Sequence, residues 1–119
     1  MDIQELTQAL VKFRDERDWS QFHTLRNLIV SLNLEAAELL ELTQWKDDQG
    51  MDEILSNNIQ RDALHDECAD VLLYLLLIAE KSGFDLIEAA TRKLKKNAEK
   101  YPIEKSFGSS RKYTEFTDT

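Results

Sequence analysis

The chain has 119 residues, 42% of them hydrophobic, with three glycines, one proline, one cysteine and a formal net charge of -8. This length supports one domain with an adequate core, and the scarcity of Gly and Pro favours an ordered, mostly helical protein. The excess of acid disfavours a general binder of nucleic-acid polymers or of membrane surfaces, but it is compatible with a small polyphosphate carried with divalent cations. The single cysteine, Cys68, cannot form an internal disulfide and reads as a buried structural thiol. The N-terminal Met-Asp-Ile-Gln-Glu has no secretory signature, and the apolar run 71–79 is too short to span a bilayer, so the expectation is a soluble cytoplasmic protein.

Residues 2–17 carry Ile3, Leu6, Leu10 and Phe13 at three- and four-residue spacing, with an arginine stem at Arg17, which predicts a first amphipathic helix. The segment around Trp19 and Phe22 breaks the period, and Thr24 is a plausible N-cap for the next helix. From Leu25 to about Trp45, Leu28, Leu32, Ala36 and Leu39 mark the apolar face. Ser31, Glu35, Glu38 and Trp45 are expected along one flank. The polar stretch 46–58 reads as a loop with room for a short helix beginning at Asp52.

A third helix is predicted from about Ile59 to Ser82, stopped by Gly83. Asp85 caps a fourth, which ends before Pro102. The domain is expected to occupy 1–102, with 103–119 a polar, flexible tail. The resulting class is all-α, a four-helix bundle with short links. The third helix is apolar over a wider arc than three neighbours can cover, through Leu72, Leu73, Leu76 and Leu77. A dimer or dimer of dimers follows, with Val71 to Ile78 near its interface.

The chemistry concentrates in two acid pairs. Glu35 and Glu38 are one helical turn apart, and so are Glu67 and Asp70, so each pair projects from one side of its helix. Acids at this spacing are most often a solvated face with lysine partners, yet no Lys or Arg occurs between Asn27 and Trp45. If the two helices pack together, four hard oxygen ligands converge, a set suited to Mg²⁺ with Mn²⁺ as a substitute. No Cys/His zinc signature competes.

These acids, Glu35-Ala36-Ala37-Glu38 and then Glu67-Cys68-Ala69-Asp70, resemble the motif of the MazG-type all-α nucleoside triphosphate pyrophosphohydrolases. That motif reads Glu-Glu-x-x-Glu, a spacer, then Glu-x-x-Asp. Leu34 replaces its first glutamate, which is similar to the dCTP pyrophosphatase branch. Further stretches point the same way: Arg17-Asp18-Trp19-Ser20-Gln21-Phe22-His23, Glu41-Leu42-Thr43-Gln44-Trp45-Lys46, Asp70-Val71-Leu72-Leu73-Tyr74-Leu75 and Tyr101-Pro102.

The resemblance implies hydrolysis of a deoxynucleoside triphosphate, dCTP or a related pyrimidine nucleotide, between its α- and β-phosphates, in nucleotide-pool sanitation. By position it implies that Glu35, Glu38, Glu67 and Asp70 hold Mg²⁺, that Glu35 and Glu38 are catalytic, and that Glu38 is the base. It further implies that Trp19, His23, Trp45 and Tyr74 enclose the nucleoside and that Lys93 and Asn97 contact phosphate and sugar. Leu10 stands roughly where dCTP pyrophosphatases can carry a histidine near the base. Two rival readings are the same cleavage on a broader set of triphosphates, dATP and dUTP included, and a non-catalytic nucleotide-binding helical partner. The expected partners are a nucleoside triphosphate and further copies of the chain, with no nucleic-acid polymer and no membrane.

Overall fold

The structure, a computed structural model, describes residues 1–117. Their regular structure is entirely helical, the all-α class expected from the sequence: α1 (Ile3–Glu16), a 3-10 turn (Ser20–Phe22), α2 (Leu25–Glu41), α3 (Asp48–Ile54), α4 (Asn58–Ser82), α5 (Leu86–Lys100), α6 (Ile103–Ser106) and a second 3-10 turn (Tyr113–Glu115). No helix among the described residues is long and apolar enough to cross a membrane.

Local sequence sets the helix ends. Asp2, Thr24, Asp47, Asn57 and Asp85 each turn a side-chain oxygen to the backbone N–H three residues on, at Glu5, Asn27, Gly50, Gln60 and Glu88. Each cap satisfies a donor that the first helical turn leaves open, and is worth about 1 kcal/mol over alanine. α4 stops where Gly83 adopts φ 74°, a left-handed conformation that glycine accepts without a Cβ clash.

α2 ends earlier than its apolar pattern suggested. After Glu41 the backbone tightens into three-residue bonds, Leu42 to Leu39 and Thr43 to Leu40, and the Thr43 hydroxyl also donates to the Leu40 carbonyl at 2.7 Å. Trp45 then turns to φ 64° and is 94% exposed. It therefore leaves the flank shared by Ser31, Glu35 and Glu38, a correction to the expected helix end. The short helix expected from Asp52 is present, but it begins at Asp48, because Asp47 supplies the cap.

The described residues form two compact units, 1–84 and 85–117. In the first unit α4 is the central element, against which α1, α2 and α3 pack, most extensively α2. Leu28 from α2, Ile54 from α3, and Leu76, Leu77 and Ala79 from α4 form the buried core. An ion pair ties α1 to α4 as well, Arg14 Nη1 to Glu80 Oε2 at 2.8 Å. Among the helices α2 carries the most exposed apolar side chains, Leu25, Ile29, Val30, Leu34 and Leu40, while on α4 Ile59 is exposed and Leu72 only marginally so.

Cys68 is exposed, not buried. α2 lies over the flank of α4 that carries Glu67, and Cys68 stands one residue further round the helix. In the second unit, Tyr101 meets Tyr113 and Phe116 edge-on at 5.9 and 5.7 Å, and Lys100 sits over the Tyr113 ring. Ring contacts thus draw the residues after Pro102 back onto the end of α5.

Candidate metal centre and adjoining pocket

Packing of α2 on α4 brings acids from both helices together. Glu35, Glu38 and Glu67 each offer a carboxylate oxygen, and these oxygens all lie within 4.8 Å of one another. Glu35 and Glu67 are half-buried and Glu38 is exposed. One oxygen of Glu35 and one of Glu67 is buried with no hydrogen-bond partner. Ionised carboxylates only accept, so three neighbouring acids cannot satisfy each other unless a proton or a cation lies among them.

The electrostatics reflect that crowding. Burial pushes the Glu67 carboxyl up to about 7, reinforced by Glu38, Glu35 and Asp70. Burial also raises Glu35, followed by the charges of Glu38 and Asp70. Desolvation and like charge both disfavour ionisation. The unsatisfied oxygens and the all-carboxylate donor set fit a hard divalent cation, which would supply the missing positive charge. Asp70 is not among the three converging acids. Its charge acts on Glu35 and Glu67 from the side, and it forms part of the wall of a neighbouring pocket.

That pocket has a volume of about 210 Å³ and lies between α1, the 3-10 turn and α4. Trp19, His23 and Tyr74, the nucleoside contacts expected from the sequence, all line it beside Asp70. The turn that presents Trp19 is built by α1: the Arg14 carbonyl accepts from both Arg17 and Trp19, and Asp18 bends the chain at φ 54°. Phe13 then meets Trp19 edge-to-face at 5.7 Å, a favourable aromatic geometry. Asn27 donates to the Phe22 carbonyl and fixes the other end of the turn. Burial lowers the His23 pKa, and the charge of Arg14 lowers it further, so the ring is neutral at pH 7.

Trp45 does not line the pocket. Lys93 and Asn97 lie one turn apart on α5, in the second unit; Lys93 is exposed and Asn97 half-buried. The sequence reading missed Arg14 as a pocket residue, as well as the walls Leu73 and Leu77. Helical spacing holds the signal: Leu10, Phe13 and Arg14 share one face of α1, and Asp70, Leu73, Tyr74 and Leu77 share one face of α4.

A family model described as MazG-like matches residues 30–116, which include all four acids. The chain belongs to the MazG-like family. Among curated relatives, dCTP pyrophosphatase 1 of Bos taurus is 38% identical over 113 residues, 95% of this chain and 67% of that protein. Its counterpart in Homo sapiens is 40% identical, again over 95% of this chain and over 66% of that protein. The chain thus spans about two thirds of the length of these relatives. A crystal structure of a pyrophosphatase from Archaeoglobus fulgidus superposes with a TM-score of 0.78 at 42% identity, covering 84% of this chain and 92% of that one. Family and fold agree with the resemblance carried by the acid motif.

Proposed function

We propose that this protein is a divalent-metal-dependent nucleoside triphosphate pyrophosphohydrolase acting on dCTP or a related pyrimidine deoxynucleotide, with release of the monophosphate and pyrophosphate. The observation that carries the reading is the convergence of Glu35, Glu38 and Glu67 beside an aromatic pocket, with Asp70 bordering both. The relatives named dCTP pyrophosphatase 1 support the choice of substrate.

In this reading Glu35, Glu38, Glu67 and Asp70 hold the cation, Mg²⁺ by preference. When bound, it neutralises phosphate oxygens and makes water a better nucleophile at neutral pH. Trp19, His23 and Tyr74 orient the nucleoside, so that the triphosphate extends toward the acids. Glu38, the most exposed of the three converging acids, accepts a proton from the attacking water. The water oxygen bonds to the α-phosphorus, the bond from that phosphorus to the bridging oxygen breaks, and pyrophosphate leaves with the bridging oxygen. Lys93 and Asn97 contact phosphate and sugar, and Trp45 adds an aromatic surface for the base.

A homo-oligomer, a dimer or dimer of dimers in the cytoplasm, completes the proposal. Its support is the row of exposed Leu25, Ile29, Val30, Leu34 and Leu40 on α2, set against a small buried core. Hydrolysis of dCTP in ¹⁸O-labelled water tests the reaction. Label in dCMP is the expected result. Label in pyrophosphate would place the attack on the β-phosphorus and refute the mechanism.

A further inference from the structure

The pocket next to the acid cluster has an unequal set of polar groups. Arg14 and the Trp19 indole only donate hydrogen bonds, neutral His23 and the Tyr74 hydroxyl can do either, and Asp70 is drawn into the field of the neighbouring carboxylates. The pocket wall therefore carries two donor-only groups, Arg14 and the Trp19 indole, against one acceptor-only group, Asp70.

Arg14 is the unusual member. Its side chain is only 11% exposed, and Nε is held by Asp15 and Nη1 by Glu80, each at 2.8 Å. Nη2 has no acceptor among the described residues. A guanidinium held by two carboxylates is pre-oriented, and its remaining Nη2 gains a charge-assisted bond from a ligand that brings an acceptor but nothing from one that brings none. Sequence periodicity alone would place an apolar residue here, completing the face of α1 formed by Leu10 and Phe13; Arg14 instead ties α1 to α4 through Glu80 and also lines the pocket.

We propose that Arg14 is a specificity-determining residue, by which the pocket selects bases with a ring carbonyl, such as cytosine and uracil, over adenine, which has none. The inference rests on the reading of this pocket as the base site and narrows it: dATP is a poor substrate, and the pyrimidine carbonyl is what Arg14 recognises.

The test is equilibrium dialysis of dCMP and dAMP against the full chain with Mg²⁺, for wild type, Arg14→Met and Glu80→Gln. Arg14→Met keeps the apolar stem and removes the donors. It is expected to lower the dCMP-to-dAMP affinity ratio by roughly 10- to 100-fold, mainly through weaker dCMP binding. Glu80→Gln breaks the same tie between α1 and α4 but retains the Arg14 charge, and it leaves the ratio within about threefold, the scale of a neutral hydrogen-bond change. A purely structural Arg14 would make the two variants behave alike, with both ligands weakened together, and that result overturns the proposal. So does a wild type that binds dAMP as well as dCMP, or that binds neither. Thermal melts confirm that the variants fold; should Arg14→Met not fold, Arg14→Lys keeps the charge, loses the planar fork, and is expected to lower the same ratio. A parallel dCTP hydrolysis assay on wild type keeps the two claims apart. Absence of turnover counts against the hydrolase reading, while the dialysis ratio still decides the role of Arg14.

Discussion

Glu35 on α2 and Glu67 on α4 meet across a helix pair with one buried, unpartnered oxygen each, and both carboxyls are raised above their ordinary value. Two such groups side by side destabilise the metal-free protein, and a cation held by them would offset that repulsion. Glu67→Gln separates these effects. It is expected to raise the melting temperature of the metal-free chain by relieving like-charge repulsion, and to lower kcat by more than the roughly 10- to 100-fold typical of losing a group behind a metal ligand. Melting curves in chelator, alongside hydrolysis rates with Mg²⁺, check both halves.

The pH dependence has a definite sign. The Glu67 carboxyl moves from 4.5, its ordinary value, up to about 7 in the folded chain, so between those values the folded state holds a proton that the unfolded state has lost. Its contribution to metal-free stability is therefore present below pH 4.5 and is lost as pH rises through 7. His23 acts oppositely. Its folded pKa is lowered, so its contribution is present above 6.5 and is lost as pH falls through the folded value. Comparing melting temperature against pH for wild type and Glu67→Gln isolates the acid component, which Mg²⁺ is expected to abolish. Identical profiles for the two chains would contradict this.

The two tryptophans are expected to differ in what they contribute to stability. Trp19 packs edge-on against Phe13, and Trp19→Ala loses about 0.5–1.5 kcal/mol from that ring pair beyond its buried area. Trp45 is 94% exposed at φ 64°, a conformation glycine adopts freely, so Trp45→Gly changes stability by less than about 0.5 kcal/mol. If Trp45 stacks on the base, the same variant weakens nucleotide binding by about 1–3 kcal/mol. Chemical denaturation and KM for dCTP measure the two effects independently.

Leu28 is 2% exposed and lies where α2 meets the rest of the core. Leu28→Ala is expected to cost about 2–5 kcal/mol and, by loosening α2, to lower Mg²⁺ affinity as well. Urea denaturation with and without Mg²⁺ would show the loss of both.

The long helices and their caps were legible because the signals are local: Thr24, Asp85 and Gly83 act within a single turn of chain. The acid pairs were legible for the same reason, since spacing alone sets which side of a helix they share. The end of α2 was not, because the tightening after Glu41 depends on a backbone choice that an apolar run through Leu42 does not reveal. Cys68 was misplaced because a helix apolar nearly all round does not say which arc its neighbours cover. Arg14 was missed because its partner, Glu80, is distant in sequence, and only the packing of α1 on α4 joins them.

The most direct test of the central claim is product analysis: purified protein, Mg²⁺ and dCTP, with nucleotides and phosphates resolved by anion exchange, in wild type and in Glu38→Gln. The account predicts dCMP and pyrophosphate from wild type and the loss of both in the variant. Formation of dCDP and orthophosphate, or undiminished turnover by Glu38→Gln, would contradict it.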